Sequence, residues 1–195
     1  LKSTTLPAGL APLKLCEGEQ AGLQSKIYNL KFMSNAKQFL QLIKHPVKFR
    51  IFLLSKLPSA FFSGVRVVHA DEKKCTVKVP YKWFSQNPFK STYFACLAMA
   101  AEMSTGVLAL AHIYMRDPAV SMLVLKVDGN FIKKATGLTL FTCEDGQVIK
   151  QTIEDAVMSN EGKIITARSY GRNEAGEIVA DFAITWSFKV KLVTS

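Results

Sequence analysis

Apolar residues recur at helical intervals early in the chain, merge into one long apolar block near its middle, and alternate with polar residues in the short runs on either side of that block. The spacing predicts a helix over Gln24 to His45 and a second over Val47 to Leu57. Pro46 separates them, because a proline disfavours helical geometry in the residue before it, and Pro58 is expected to end the second. Leu1 to about Gly22, punctuated by Pro7, Gly9, Pro12 and Gly18, reads as an irregular lead-in. From Ser63 the period shortens to two. Val65 and Val67, then Cys75, Val77 and Val79, predict a pair of strands on either side of a charged turn at Ala70 to Lys74. Asn87 and Pro88 supply an N-cap and a first-turn proline for a helix of about 20 residues.

Beyond Pro118 the alternation returns. Val120 to Val127 reads as a strand, Asp128-Gly129-Asn130 as a turn, and Phe131 to Ala135 as the strand on its far side. Leu138 to Thr142 is a further strand, and Gln147 to Asn160 a helix with Ile153, Val157 and Met158 turned inward. Ile164 to Tyr170 and Ile178 to Val193 form a long hairpin across Asn173-Glu174-Ala175-Gly176. One long helix among consecutive antiparallel strands is an α+β order, not a βαβ series. No GxGxxG or GxxxxGK[ST] occurs at a strand-to-helix junction, which argues against Rossmann and P-loop nucleotide sites. The division expected is a lead-in and helical extension over 1–62 and one domain over 63–195.

With 195 residues, 49% of them hydrophobic and 21% charged, the chain can bury a full core, which excludes disorder of the whole. The most apolar stretch, Tyr93 to Met115, carries Glu102, Ser104, Thr105 and His112, so a buried helix explains it better than a bilayer span. No charged segment followed by an apolar one marks a secretory signal. Cys16, Cys75, Cys96 and Cys143 lack paired spacing, and His45, His69 and His112 are scattered. Free thiols in a reducing cytoplasm and no bound metal are therefore expected.

The net charge of +10 raises the question of a polyanionic partner. Much of the excess lies in Lys26, Lys31, Lys37, Lys44, Lys48, Arg50 and Lys56, spread among Leu40, Ile43, Phe49, Phe52, Leu53 and Leu57. That is a basic amphipathic face, which is solvated, meets a membrane surface or partner, or recruits a polyanionic ligand. Nucleic acid ranks last, since the basic residues lack the interleaved aromatics of a single-strand platform.

At about 100° per residue, Ser91, Ala95, Ala98 and Glu102 share a narrow stripe on the central helix. Three are small and leave clearance for a sheet or a ligand chain; Phe89, Tyr93, Leu97 and Met103 lie opposite. A carboxylate in so apolar a helix must be paired, solvated or protonated. Glu102 is accordingly either a general base or nucleophile with a tuned pKa, or a glutamate facing solvent or a lysine.

The run from Asn87 to Glu102 resembles the central-helix signature of hotdog-fold acyl-CoA thioesterases, in which an Asn precedes a His-Gly-Gly-like turn, an apolar helix and an acidic residue. Asn87 matches the Asn and Glu102 the acid, while Tyr93-Phe94-Ala95 stands in place of His-Gly-Gly. Phe131 to Ala135 resembles that superfamily's aromatic-x-basic-Pro-Ala strand, and the likeness extends from about Ser63 to Val193, within a thioesterase-like branch that carries N-terminal helices. The resemblance implies a long central helix wrapped by an antiparallel sheet, and pairing of protomers into a homodimer or dimer of dimers with sites at the interface. Glu102 would activate water or attack the thioester carbonyl, the backbone amides of Phe94 and Ala95 would hold the oxyanion, and Asn87 or Ser91 would orient water or carbonyl. Lys133 and Lys134 would receive the phosphates of coenzyme A, present as part of the substrate, with no separate cofactor. Each has a plainer reading: Asn87 as an N-cap, Ser91 as a small packing residue, and the lysines as solvent-facing strand charges. Binding of an acyl chain without turnover is the alternative function.

Overall fold

The structure, a computed structural model, describes residues 35–191. The expected lead-in, the first part of the first helix, Cys16, Lys26 and Lys31 lie outside the described residues. Residues 35–44 are helical (α1), followed by α2 (Pro46–Lys56), α3 (Pro58–Ser63), β1 (Arg66–Ala70), β2 (Cys75–Val79) and α4 (Phe94–Ile113). Then come β3 (Val120–Phe131), β4 (Thr139–Cys143), α5 (Gly146–Ser159), β5 (Lys163–Arg172) and β6 (Ile178–Val190). The six strands form one sheet in the order β1-β2-β4-β5-β6-β3, each neighbour antiparallel. The α+β order expected from the sequence is the order observed.

Strand periodicity builds the core. On β6, Phe182, Ile184, Trp186 and Phe188 are buried and alternate with partly exposed Ala183, Thr185 and Ser187, and on β2 Cys75, Val77 and Val79 are buried. A sheet with one apolar face must cover it, and here α4 fills that face. Thirteen of the twenty α4 residues are buried, so although its length and apolarity would suffice to cross a bilayer, it is the core of this fold. Two polar contacts fix its rotation. The Trp186 indole N–H donates to Thr105 Oγ1 at 3.0 Å, and the hydroxyls of Ser104 and Ser169 lie 2.7 Å apart, sparing each buried group a desolvation penalty of about 1–3 kcal/mol. Beyond its C-terminal end, Arg116 makes a two-pronged bond to Glu154 of α5, at 3.0 and 2.6 Å. α1 and α2 join the same core through Phe39, Leu40, Ile43 and Leu53.

Local signals mislead at several places. Pro58 ends α2 but also opens α3, where its fixed φ suits the first helical position. Met158 is exposed, and Ile149, Ile153 and Ala156 form the inner face of α5. Asp128-Gly129-Asn130 is not a turn: β3 runs through it, paired with β6 from Val120 to Phe131. Phe131 ends that strand, so 132–138 is a loop and Lys133 and Lys134 are loop residues rather than strand residues. Gly129 is used for its missing side chain, since it sits opposite Phe182, whose ring would lie only 2.6 Å from a Cβ at this position.

That close approach makes Gly129 a sensitive position. The Phe182 ring is buried and packed against the rings of Phe131 and Phe141 at 5.6 and 5.7 Å, leaving it little room to retreat. Gly129→Ala is expected to destabilise the fold by about 1–3 kcal/mol, the usual cost of overpacking, read as a lower urea midpoint at unchanged slope. In a turn, the same substitution would leave the Phe182 ring environment unchanged in aromatic NMR shifts; here those shifts move.

Candidate active site

The approach to α4 decides where the expected site residues fall. Asn87 does not cap α4: Tyr93 holds that position, without a side-chain capping bond. Asn87 closes its own loop instead, its Oδ1 accepting from the amides of Phe89 at 3.0 Å and Ser91 at 3.2 Å. The Ser91 hydroxyl is within 3.1 Å of Asn87 Nδ2, and Ser91 lies in this loop, not on the helical stripe with Ala95 and Ala98. Tertiary bonds outweigh the Asn-Pro signal, because Thr92 donates to the carbonyl of Ala135 and Tyr93 to that of Ser85, each at 2.7 Å. These pin 92 and 93 in extended geometry and delay the helix to Phe94.

The amides of Phe94 and Ala95 are therefore the first of α4, without intrahelical acceptors and at the positive end of a twenty-residue helix. Beside them opens a groove of about 830 Å³. Asn87, Ser91, Phe94, Lys133 and Lys134 all line it, so the fold gathers five of the expected site residues. Lys133 is held by Glu177 at 2.6 Å, whereas Lys134 is exposed and makes no ion pair among the described residues. Of the two, Lys134 is the cation available to an anionic ligand.

Glu102 is not in that groove. It lies eight residues further along α4, about 12 Å at 1.5 Å per residue, and lines a separate apolar cavity of about 90 Å³. α1 and α2 roof this cavity with Phe39, Phe49, Phe52 and Leu53, and Met122 of β3 closes one side. Gly106, one turn on, makes room for the carboxylate: a Cβ there would come within 3.2 Å of Glu102 Oε1 and 3.4 Å of the Trp186 ring. The apolar spacing of α1 and α2 announced that they bury a face, but not that the face would cover Glu102. Gly106 had only the i+4 spacing to mark it.

No hydrogen bond or ion pair reaches the Glu102 carboxylate among the described residues, and burial pushes its pKa above the ordinary range. His112, also buried on α4, is driven down to about 4, by burial first and by Lys150 next, so it too favours its neutral form. A raised folded-state pKa means that the native state holds a proton the unfolded chain has released. Stability therefore falls as pH rises from the unfolded value through the folded one, and is unaffected below both. Glu102→Gln, which keeps shape without charge, is expected to raise the melting temperature above that of the parent at pH 8, with the gap closing at pH 4. Parallel thermal melts across that range provide the measurement.

No protein-family model matches the chain, and no curated protein matches it. Solved structures do. A Pseudomonas aeruginosa protein of unknown function, named "Probable Thioesterase", superposes with a TM-score of 0.64 at 20% identity, covering 75% of this chain and 97% of its own. A Chlorobaculum tepidum protein of unknown function gives 0.64 at 14% identity, covering 80% and 94%, and a Haemophilus influenzae thioesterase gives 0.53 at 12%, covering 74% and 91%. At these identities the likeness is one of fold: this chain has the hotdog architecture, a long central helix wrapped by an antiparallel sheet and preceded by N-terminal helices.

Proposed function

We propose that this chain hydrolyses acyl thioesters, with Glu102 as the general base. The observation that carries the reading is a carboxylate with no partner among the described residues, set in an apolar cavity beside the central helix, where burial raises its affinity for a proton. In the reaction, Glu102 would take a proton from water as the water oxygen attacks the thioester carbonyl. Collapse of the tetrahedral intermediate would break the C–S bond, and the proton would pass to the departing thiolate, yielding a carboxylic acid and a thiol. The amides at the start of α4 would hold the oxyanion, and Lys134 would meet the phosphates of a coenzyme A thioester.

Within one protomer the α4 amides and Glu102 stand about 12 Å apart along the helix, too far to act on one carbonyl. The reading therefore calls for a second copy of the chain. β3 is an edge strand of twelve residues with Leu123, Leu125, Val127 and Phe131 exposed, the type of edge that pairs with another strand. Pairing along β3 would bring the helix start of one copy toward the Glu102 cavity of the other. The second reading, acyl-chain binding without turnover, is favoured by the roof that α1 and α2 place over Glu102.

Thiol release from short, medium and long acyl-CoAs separates the two. Turnover by the parent that falls about 10²- to 10⁴-fold in Glu102→Gln is the expected result. Equal turnover in both would remove Glu102 from the chemistry, and acyl-CoA binding without release would establish the second reading. Leu123→Lys together with Leu125→Lys is expected to shift the protein from dimer to monomer in light scattering and to lower turnover with it.

A further inference from the structure

We propose that a second pocket, between α2 and β1, binds a phosphate-bearing ligand. Between Glu19 and Asp71 the chain contains no Asp or Glu, yet it carries eight Lys and Arg residues. The fold brings four basic residues from separate places, Lys44, Arg50, Arg66 and Lys78, round a pocket of about 370 Å³ with an apolar floor that includes Ile43 and Phe49. That volume lies within the usual range of ligand sites.

None of the four forms an ion pair among the described residues. The acid near the rim, Asp71, is committed to His69 at 2.9 Å and to the amides of Lys73 and Lys74. Arg50 is the telling member. Its guanidinium lies 4.2 Å above the Phe61 ring, and its Nη1 is buried with no hydrogen-bond partner among the described residues. Burial, with Arg66 adding repulsion, lowers its pKa from the ordinary arginine value. A buried donor among like charges is costly, and an anion entering the pocket offsets both costs. Phosphate suits this arrangement: an arginine fork grips it through two oxygens, and a doubly charged group answers several cations at once. The site is built from the helical extension, β1 and β2; it shares Ile43, Phe49 and Leu53 with the Glu102 cavity, but its four cations line neither that cavity nor the α4 groove, so it takes no role in the thioesterase reading.

Such a phosphate could be carried by a soluble phosphoester or by a lipid headgroup, since Val47, Ile51 and Leu54 form an exposed apolar stripe on α2. The test is calorimetric titration of the full chain with pyrophosphate at constant ionic strength, alongside sedimentation with phosphatidylcholine vesicles with and without phosphatidic acid. Arg50→Gln with Arg66→Gln removes the two arginines of the pocket, and Lys44→Gln with Lys78→Gln removes its two lysines should the first variant fold poorly. Lys126→Gln with Lys163→Gln is the charge-matched control away from the pocket. Saturable pyrophosphate binding that weakens at least about tenfold in the pocket variants and not in the control is expected. Pyrophosphate binding without vesicle binding assigns a soluble phosphoester; phosphatidic acid vesicle binding that pyrophosphate displaces assigns a headgroup. Absence of saturable binding to either probe, or equal loss in the control, overturns the proposal.

Discussion

A twenty-residue helix with almost no polar face has to be covered on every side, and the rest of the molecule can be read as the means of covering α4. The sheet supplies one wall through the alternating face of β6 and its neighbours, α5 supplies another, and α1 with α2 closes what remains. Because the helix is apolar nearly all round, hydrophobicity alone would not set its rotation. The Trp186–Thr105 and Ser104–Ser169 bonds do, since either pair would be stranded without partners if α4 turned. That fixed rotation puts Glu102 under the extension and not toward open solvent.

The type of most elements was legible in the sequence, because type follows from period: alternation for the strands, an apolar block for α4, a 3.6-residue stripe for α5. Boundaries were less legible, because they are set by bonds to distant residues. Asn87-Pro88 carries every local mark of a helix start, yet carbonyls of Ser85 and Ala135 hold the next residues extended. Asp128-Gly129-Asn130 carries every local mark of a turn, yet thirteen residues of β6 offer a complete partner edge, and the glycine serves the Phe182 ring instead.

The candidate site was legible in parts and not as a whole. Glu102 stood out because a carboxylate in an apolar helix demands an explanation, and the alignment of Tyr93-Phe94-Ala95 with a glycine-rich turn put the free amides at the place where α4 begins. What could not be read was their separation. The shared stripe assumed that Ser91 was helical, and an amphipathic pattern tells that a helix has a hidden face without telling what it hides against. The basic run of the extension was visible as charge; only the fold shows that Lys44, Arg50, Arg66 and Lys78 meet.

Ile43, Phe49 and Leu53 belong to both the basic pocket and the Glu102 cavity. They stand between a cluster of cations and the apolar cavity that holds Glu102. Close-packed side chains have little slack, so a shift of α2 that widens one compartment narrows or opens the next. The extension is in this sense less a lid over a finished domain than a common wall, and its position sets the dimensions of two rooms together.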